Sequence, residues 1–279
     1  MTPKELVDAL LRGMGQIMLQ DNAFTGLLFF LGILANSWQM FFAALLGLVS
    51  GTATAWFLKY NKKEIARGLY GFNAALVGVG LLFFFQPSVL LALIIIAGAA
   101  LSSIIMNFMH KRKMSPYTFP FILSTWIIIS LVGATGILPS QPPAPAAPPL
   151  LDVLSALSMG FSQVMFQASI ITGIIFLAAI LANSRANALY ALLGSLAGML
   201  LALALSFPLG LISMGIYGYN GVLCGAAFAG EKKNAAPYAL AAIVLSVIIL
   251  WGFQAAGIPA LTAPFVFATW IVLAIGKKL

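Results

Sequence analysis

The sequence predicts an all-α polytopic membrane protein of ten transmembrane helices in two inverted five-helix repeats, each with a short additional helix. Three observations predict it. Of the 279 residues, 62% are hydrophobic and only 7% charged, with a mean hydropathy of +1.07. Ordinary soluble domains carry about 25% charged residues, and disordered chains are poorer still in apolar ones, so both classes are excluded. Apolar runs that can serve as spans follow one another along the whole chain. Five motifs recur at nearly one spacing, which marks a duplication.

The expected spans are 23–36, 38–58, 68–85, 89–109, 118–137, 169–183, 187–206, 209–229, 235–252 and 262–276. Gln86-Pro87-Ser88 and Phe207-Pro208-Leu209 read as turns between apolar runs. Segments 3–19 and 150–166 are amphipathic, too polar for a clean span and too apolar for a loop. The first opens Thr2-Pro3-Lys4-Glu5, a capping-box pattern with proline at the first helical position. The second follows the proline-rich run from Pro142 to Pro149. Glu5 and Asp8, with no small-residue cleavage site after an apolar core, predict no cleaved secretory signal.

With ten spans, all 14 Lys and Arg residues fall on one side of the membrane. They are Lys4 and Arg12; Lys59, Lys62, Lys63 and Arg67; Lys111, Arg112 and Lys113; Arg185; Lys232 and Lys233; and Lys277 and Lys278. The positive-inside rule makes that side the cytoplasm and puts both termini in it. The net charge of +8 is therefore topological, and no nucleic-acid partner is expected.

Ile33-Leu34-Ala35-Asn36-Ser37 returns as Ile180-Leu181-Ala182-Asn183-Ser184, 147 residues later. At the same offset, Gly68-Leu69-Tyr70-Gly71-Phe72-Asn73 returns as Gly215-Ile216-Tyr217-Gly218-Tyr219-Asn220, and Gly47 and Gly51 as Gly194 and Gly198. Gln16-Ile17-Met18-Leu19 likewise aligns with Gln163-Val164-Met165-Phe166. Thr118-Phe119-Pro120-Phe121 returns as Thr262-Ala263-Pro264-Phe265, at 144. The halves are 1–147 and 148–279, linked by 139–149. Five spans per half is an odd number, so the second half enters from the opposite face, and an inverted repeat places its solute path where the halves meet.

One cysteine, Cys224, and one histidine, His110, exclude a disulfide framework and a cysteine- or histidine-built metal centre within one chain. No cofactor is expected, and no nucleophile–base pair suggests an enzyme. The six carboxylates (Glu5, Asp8, Asp21, Glu64, Asp152 and Glu231) lie at span ends, in amphipathic stretches or in loops. Ion-coupled carriers keep ionisable groups at depth, so the pattern favours passive passage of an uncharged solute over an ion-coupled secondary transporter. Gln16 and Gln163 sit near the ends of the two short helices, where backbone carbonyls are unsatisfied. They either add amide oxygens to a ladder of acceptors, suited to a small neutral molecule rich in N–H donors, or only cap neighbouring helices. Phe72 with Tyr219, and Leu19 with Phe166, are equivalent positions able to wall a slot for a flat guest. Thr118 and Thr262 either contact the solute at the midplane or repair a proline-broken helix. The GxxxG pairs Gly47/Gly51 and Gly194/Gly198 read as close helix packing, and Cys224 as packing.

The paired Thr-x-Pro-Phe segments, the paired Gly-x-Tyr-Gly-aromatic-Asn segments and the two Gln-centred segments resemble the urea transporter family in its bacterial form. The resemblance covers nearly the whole chain and implies a channel-like passive urea conductor in the inner membrane, assembled as a homotrimer in the lipid bilayer with one pore per subunit. It makes the two short helices pore helices, with Gln16 and Gln163 on acceptor ladders and Ile17 and Val164 beside them. Phe72, Leu76, Phe166, Tyr219 and Leu223 would shape the slot, and Thr118 and Thr262 mark its centre. Leu19 stands where a slot phenylalanine is expected, and Tyr219 replaces another. A channel for ammonia, water or a short amide is the alternative on chemistry alone.

Overall fold

The computed structural model describes residues 2–142, 150–230 and 235–276. The chain divides into two compact units, Met1–Ala144 and Pro145–Leu279. The first holds α1 (Pro3–Gln16), α2 (Ala23–Asn36), α3 (Trp38–Phe57), α4 (Lys62–Ala66), α5 (Phe72–Phe84), α6 (Val89–Lys111) and α7 (Phe119–Thr135). The second holds α8 (Val153–Ser162) with a 3-10 turn Gln163–Met165, then α9 (Ile170–Asn183), α10 (Arg185–Ala204), α11 (Leu209–Ser213), α12 (Tyr219–Phe228), α13 (Ala235–Ala255) and α14 (Ala263–Gly276). Most of the expected link, and with it Glu231, Lys232, Lys233, Lys277 and Lys278, lies outside the described residues.

Local side chains set where the helices start. A capping box forms at Thr2 as its pattern predicts: the Glu5 amide donates to Thr2 Oγ1 at 3.3 Å, and the Thr2 amide to Glu5 Oε2 at 2.7 Å. Asn22 accepts from the Thr25 amide and Ser169 from the Thr172 amide. Ser37 and Ser184 cap α3 and α10 in the same way. Each such bond satisfies one of the four orphan amides of a helix start.

Helix ends are equally regular. Leu19, Lys59, Gly68 and Lys113 take positive φ in the first unit, and Phe166, Ser206, Gly215 and Gly257 do so at the equivalent positions of the second. Each closes a turn in which the next amide reaches back five residues, as Gln20 N does to Gly15 O and Gln167 N to Ser162 O, both at 3.0 Å. That 6→1 bond is the Schellman signature.

Four helices among the described residues, α3, α6, α10 and α13, are long and apolar enough to cross a membrane alone. The 3-10 turn that extends α8 leads into α9 through a bend of 78°. Two expected spans are interrupted: 209–229 is broken into α11 and α12, and 68–85 opens with a turn before α5. Gly68 and Gly215, at φ +74° and +72°, carry those breaks. A 13-residue helix such as α5 is about 20 Å long, against a hydrocarbon core of about 30 Å.

Within each unit the long helix packs on its broken neighbour, α3 on α5 and α10 on α12. The close approach expected of the GxxxG pairs is present. A Cβ on Gly47 would stand 2.1 Å from the Ala74 carbonyl oxygen, and one on Gly194 2.0 Å from that of Gly221. Phe29, Phe121, Phe161 and Phe265 are buried, while Trp38, Phe42, Trp56, Phe57 and Val89 are exposed. So many large apolar side chains facing outward suit hydrocarbon and not water. The chain is a polytopic helical membrane protein.

Gly47→Ala and Gly194→Ala are each expected to cost about 1–3 kcal/mol, by forcing a methyl into backbone. Gly133→Ala, where a Cβ meets nothing within 4 Å, is the control and should leave the melting temperature unlowered. Thermal melting of the purified variants in one detergent checks this; equal melting of all three would contradict the packing account.

Candidate functional site

In each unit the site is built on the turn that ends the short first helix. Gln16 closes α1, and its Nε2 donates to the Arg67 carbonyl at 3.2 Å. Gln163 follows α8, and its Nε2 donates to the Met214 carbonyl at 3.1 Å, the equivalent bond. A carbonyl only accepts, so the amide nitrogen has to face it and the amide oxygen points elsewhere. The expected helix-capping role is thus real for the nitrogens, while each Oε1 accepts no hydrogen bond among the described residues.

The expected ladder of orphan carbonyls is shorter than the sequence suggests. Met14, Gly15 and Gln16 carbonyls accept from Ile17, Met18, Leu19 and Gln20 amides, so the turn closes on itself. Met18 and Met165 carbonyls accept from the Nε2 atoms of Gln20 and Gln167, at 2.9 and 2.8 Å. These two fully buried glutamines recur at the 147 offset, a signal that sequence reasoning missed. The Ile17 and Val164 carbonyls accept nothing among the described residues. Leu19 and Phe166 hold φ near +60° at the end of these turns, a conformation that costs a non-glycine residue about 1–3 kcal/mol and clusters at functional sites.

Of the other candidates, Phe72 and Leu76 stand on α5 and Tyr219 and Leu223 on α12. Phe72, Leu76, Tyr219, Leu223, Ile17 and Val164 are buried, and Gln163, Leu19 and Phe166 half-buried. The 163–165 turn packs on α12, which carries Tyr219 and Leu223. Thr118 and Thr262, each 2% exposed, stand just ahead of α7 and α14. Pro120 and Pro264 occupy the second helical position there, so they begin a helix and break none. The carbonyls that such prolines would free, Pro116 and Ala260, accept from the Phe119 and Ala263 amides. This corrects the reading in which the threonines repair a proline break.

Asn73 and Asn220, quoted in the repeat but given no role there, join α5 to α7 and α12 to α14. Asn73 Oδ1 accepts from the Phe121 amide at 3.0 Å and Asn220 Oδ1 from the Phe265 amide at 3.1 Å. The units then differ. Asn73 Nδ2 donates to the Tyr117 carbonyl at 3.1 Å, but the matching Leu261 carbonyl accepts from the Tyr219 hydroxyl at 2.5 Å. Asn220 Nδ2 has no partner among the described residues. The departure at Tyr219 therefore keeps the ring and ties its hydroxyl to backbone.

A family model described as Urea transporter matches residues 7–277. The chain is 30% identical over 247 residues to Urea transporter 1 of Mus musculus, aligning 81% of this chain with 63% of that protein. It is 29% identical over 243 residues to that of Rattus norvegicus, with the same coverage. Against Urea transporter 1 of Ovis aries it is 28% identical over 303 residues, covering 98% of this chain and 78% of that protein. The chain thus spans less than two thirds of the length of the two rodent proteins. These relatives are animal proteins, whereas the resemblance read from the sequence was to the bacterial form.

The asparagine bonds carry a stability prediction. Asn73→Ala removes two strong hydrogen bonds and Asn220→Ala one, so the first should cost about 1 kcal/mol more than the second. Melting temperatures of the two purified variants test this, and an equal or reversed order would contradict the asymmetry.

Proposed function

This chain belongs to the urea transporter family, and from that premise we propose that it conducts urea passively, down its gradient, along a narrow path served by equivalent residues of its two halves. The supporting observation is the repeated glutamine geometry. Each amide nitrogen is spent on a loop carbonyl, and each amide oxygen is left as an acceptor. Urea is planar and neutral, with four N–H donors and one carbonyl. In this reading Gln16 and Gln163, with the Ile17 and Val164 carbonyls, take the donors, exchanging water for protein oxygens as the solute enters. Leu19, Phe72, Leu76, Phe166, Tyr219 and Leu223 form the apolar walls that exclude larger or hydrated solutes. Thr118 and Thr262 offer hydroxyls at the centre. Conduction needs contacts weak enough to release the solute, and neutral hydrogen bonds of about 1 kcal/mol net suit that.

The absence of carboxylates from the four long helices favours passive passage. The same reading takes the ten spans as two inverted halves, 1–147 and 148–279, with both termini cytoplasmic, in a homotrimer in the inner membrane.

Stopped-flow or radiolabel flux in proteoliposomes of the purified chain tests the proposal. Urea entry should follow its gradient and stay unchanged when ionophores collapse sodium, proton and voltage gradients. Accumulation of urea against its gradient would overturn the passive reading, and flux no faster than that of empty liposomes the substrate.

A further inference from the structure

The two glutamine turns are held by different chemistry. In the first unit, Asp21 follows the turn and binds two arginines with its two oxygens. Arg12 Nη1 donates to Asp21 Oδ1 at 3.0 Å, and Arg67 Nε to Asp21 Oδ2 at 2.8 Å. Arg12 also donates from Nε to Asp8 at 2.6 Å. Arg12 precedes Gln16 by one turn on α1, and Arg67 supplies the carbonyl that fixes the Gln16 amide. Asp21 therefore closes a second link, Arg12–Asp21–Arg67, parallel to the Gln16–Arg67 bond. Burial alone would raise the Asp21 carboxyl, but the hydrogen bonds from Arg67 and Arg12 outweigh it and hold its pKa below the ordinary value.

The equivalent positions in the second unit carry Met159, Ala168 and Met214, with no ionisable group. There the loop before Met214 is fixed by Ser213 Oγ, which accepts from the Asp152 amide at 2.9 Å and donates to the Leu150 carbonyl at 3.0 Å. The same glutamine geometry is thus reached once with charges and once without. The charged side chains are partly exposed, Arg67 59%, Arg12 36% and Asp21 32%. Pairs of that kind add little to stability, so their consequence is geometric.

We propose that Asp21 is a positioning residue: it clamps the Arg67 loop to the last turn of α1 and so fixes the Gln16 amide oxygen toward the passing urea. The role in passage rests on the reading of Gln16 as a path acceptor; the clamp itself does not.

The test uses the purified full chain, as wild type, Asp21→Asn, Asp21→Glu, Gln16→Ala, and the Gln16→Ala, Asp21→Asn double variant. Asp21→Asn should slow urea flux about twofold to fivefold, with Asp21→Glu recovering most of it. In the Gln16→Ala background Asp21→Asn should change flux no further, because its effect passes through Gln16. Amide hydrogen exchange should rise in 12–22 and 63–71 in Asp21→Asn and stay unchanged in 159–169 and 210–218. Unchanged exchange in 12–22 and 63–71 would overturn the clamp. Wild-type-like flux in Asp21→Asn, or an additive loss in the double variant, would overturn its role in urea passage. Wild-type flux no faster than that of empty liposomes would overturn the functional reading itself, while the exchange arm still decides the clamp.

Discussion

Away from water, every backbone amide and carbonyl has to find its partner inside the protein. This chain interrupts its helices repeatedly, and each interruption exposes orphan groups that must be matched locally. The positive-φ turns answer most of them with a 6→1 bond. Buried carboxamides answer others, Gln20 and Gln167 inside the turns and Asn73 and Asn220 at the starts of α7 and α14, while the Ile17 and Val164 carbonyls accept nothing among the described residues. The placement of the site follows from this demand. Broken helices are tolerated at membrane depth only where other protein groups take over or the backbone lines a cavity, and in the proposed reading the turn carbonyls left open are the ones a solute meets.

The requirement also explains why uncharged residues suffice. A glutamine that spends its nitrogen on a loop carbonyl has its oxygen oriented at no further cost in charge. Among the described residues, ion pairs enter only at partly exposed side chains, those of Asp8, Arg12, Asp21 and Arg67. The halves share a plan but solve individual bonds differently: Tyr219 takes the Leu261 carbonyl that Asn220 would have taken, and Ser213 does for one loop what an ion pair does for the other.

Much of this was legible in the sequence. The composition excludes a soluble fold, the Thr2–Glu5 capping box and the Gly47/Gly51 and Gly194/Gly198 packing appear where their patterns place them, and the paired glutamines lie at helix ends. The breaks inside 68–85 and 209–229 were missed because Gly68-Leu69-Tyr70-Gly71 and Gly215-Ile216-Tyr217-Gly218 read as a repeat motif within a span, and the positive φ of Gly68 and Gly215 reveals the turn. The turn carbonyls were overcounted because a Schellman closure usually announces itself with glycine, and here Leu19 and Phe166 adopt the same φ. Pro120 and Pro264 misled for a related reason: a proline reads as a break unless the helix is known to begin one residue earlier.

If the path is lined by acceptors set between apolar walls, passage depends on the N–H donors of a flat neutral solute. The most direct measurement is proteoliposome flux of urea, N-methylurea and 1,3-dimethylurea under equal gradients, corrected for leak through empty liposomes. The account predicts that flux falls at each methylation, as donors are lost and width is gained, although each methyl makes the solute more apolar. Protein-mediated flux that is equal for the three, or that rises with methylation, would contradict it.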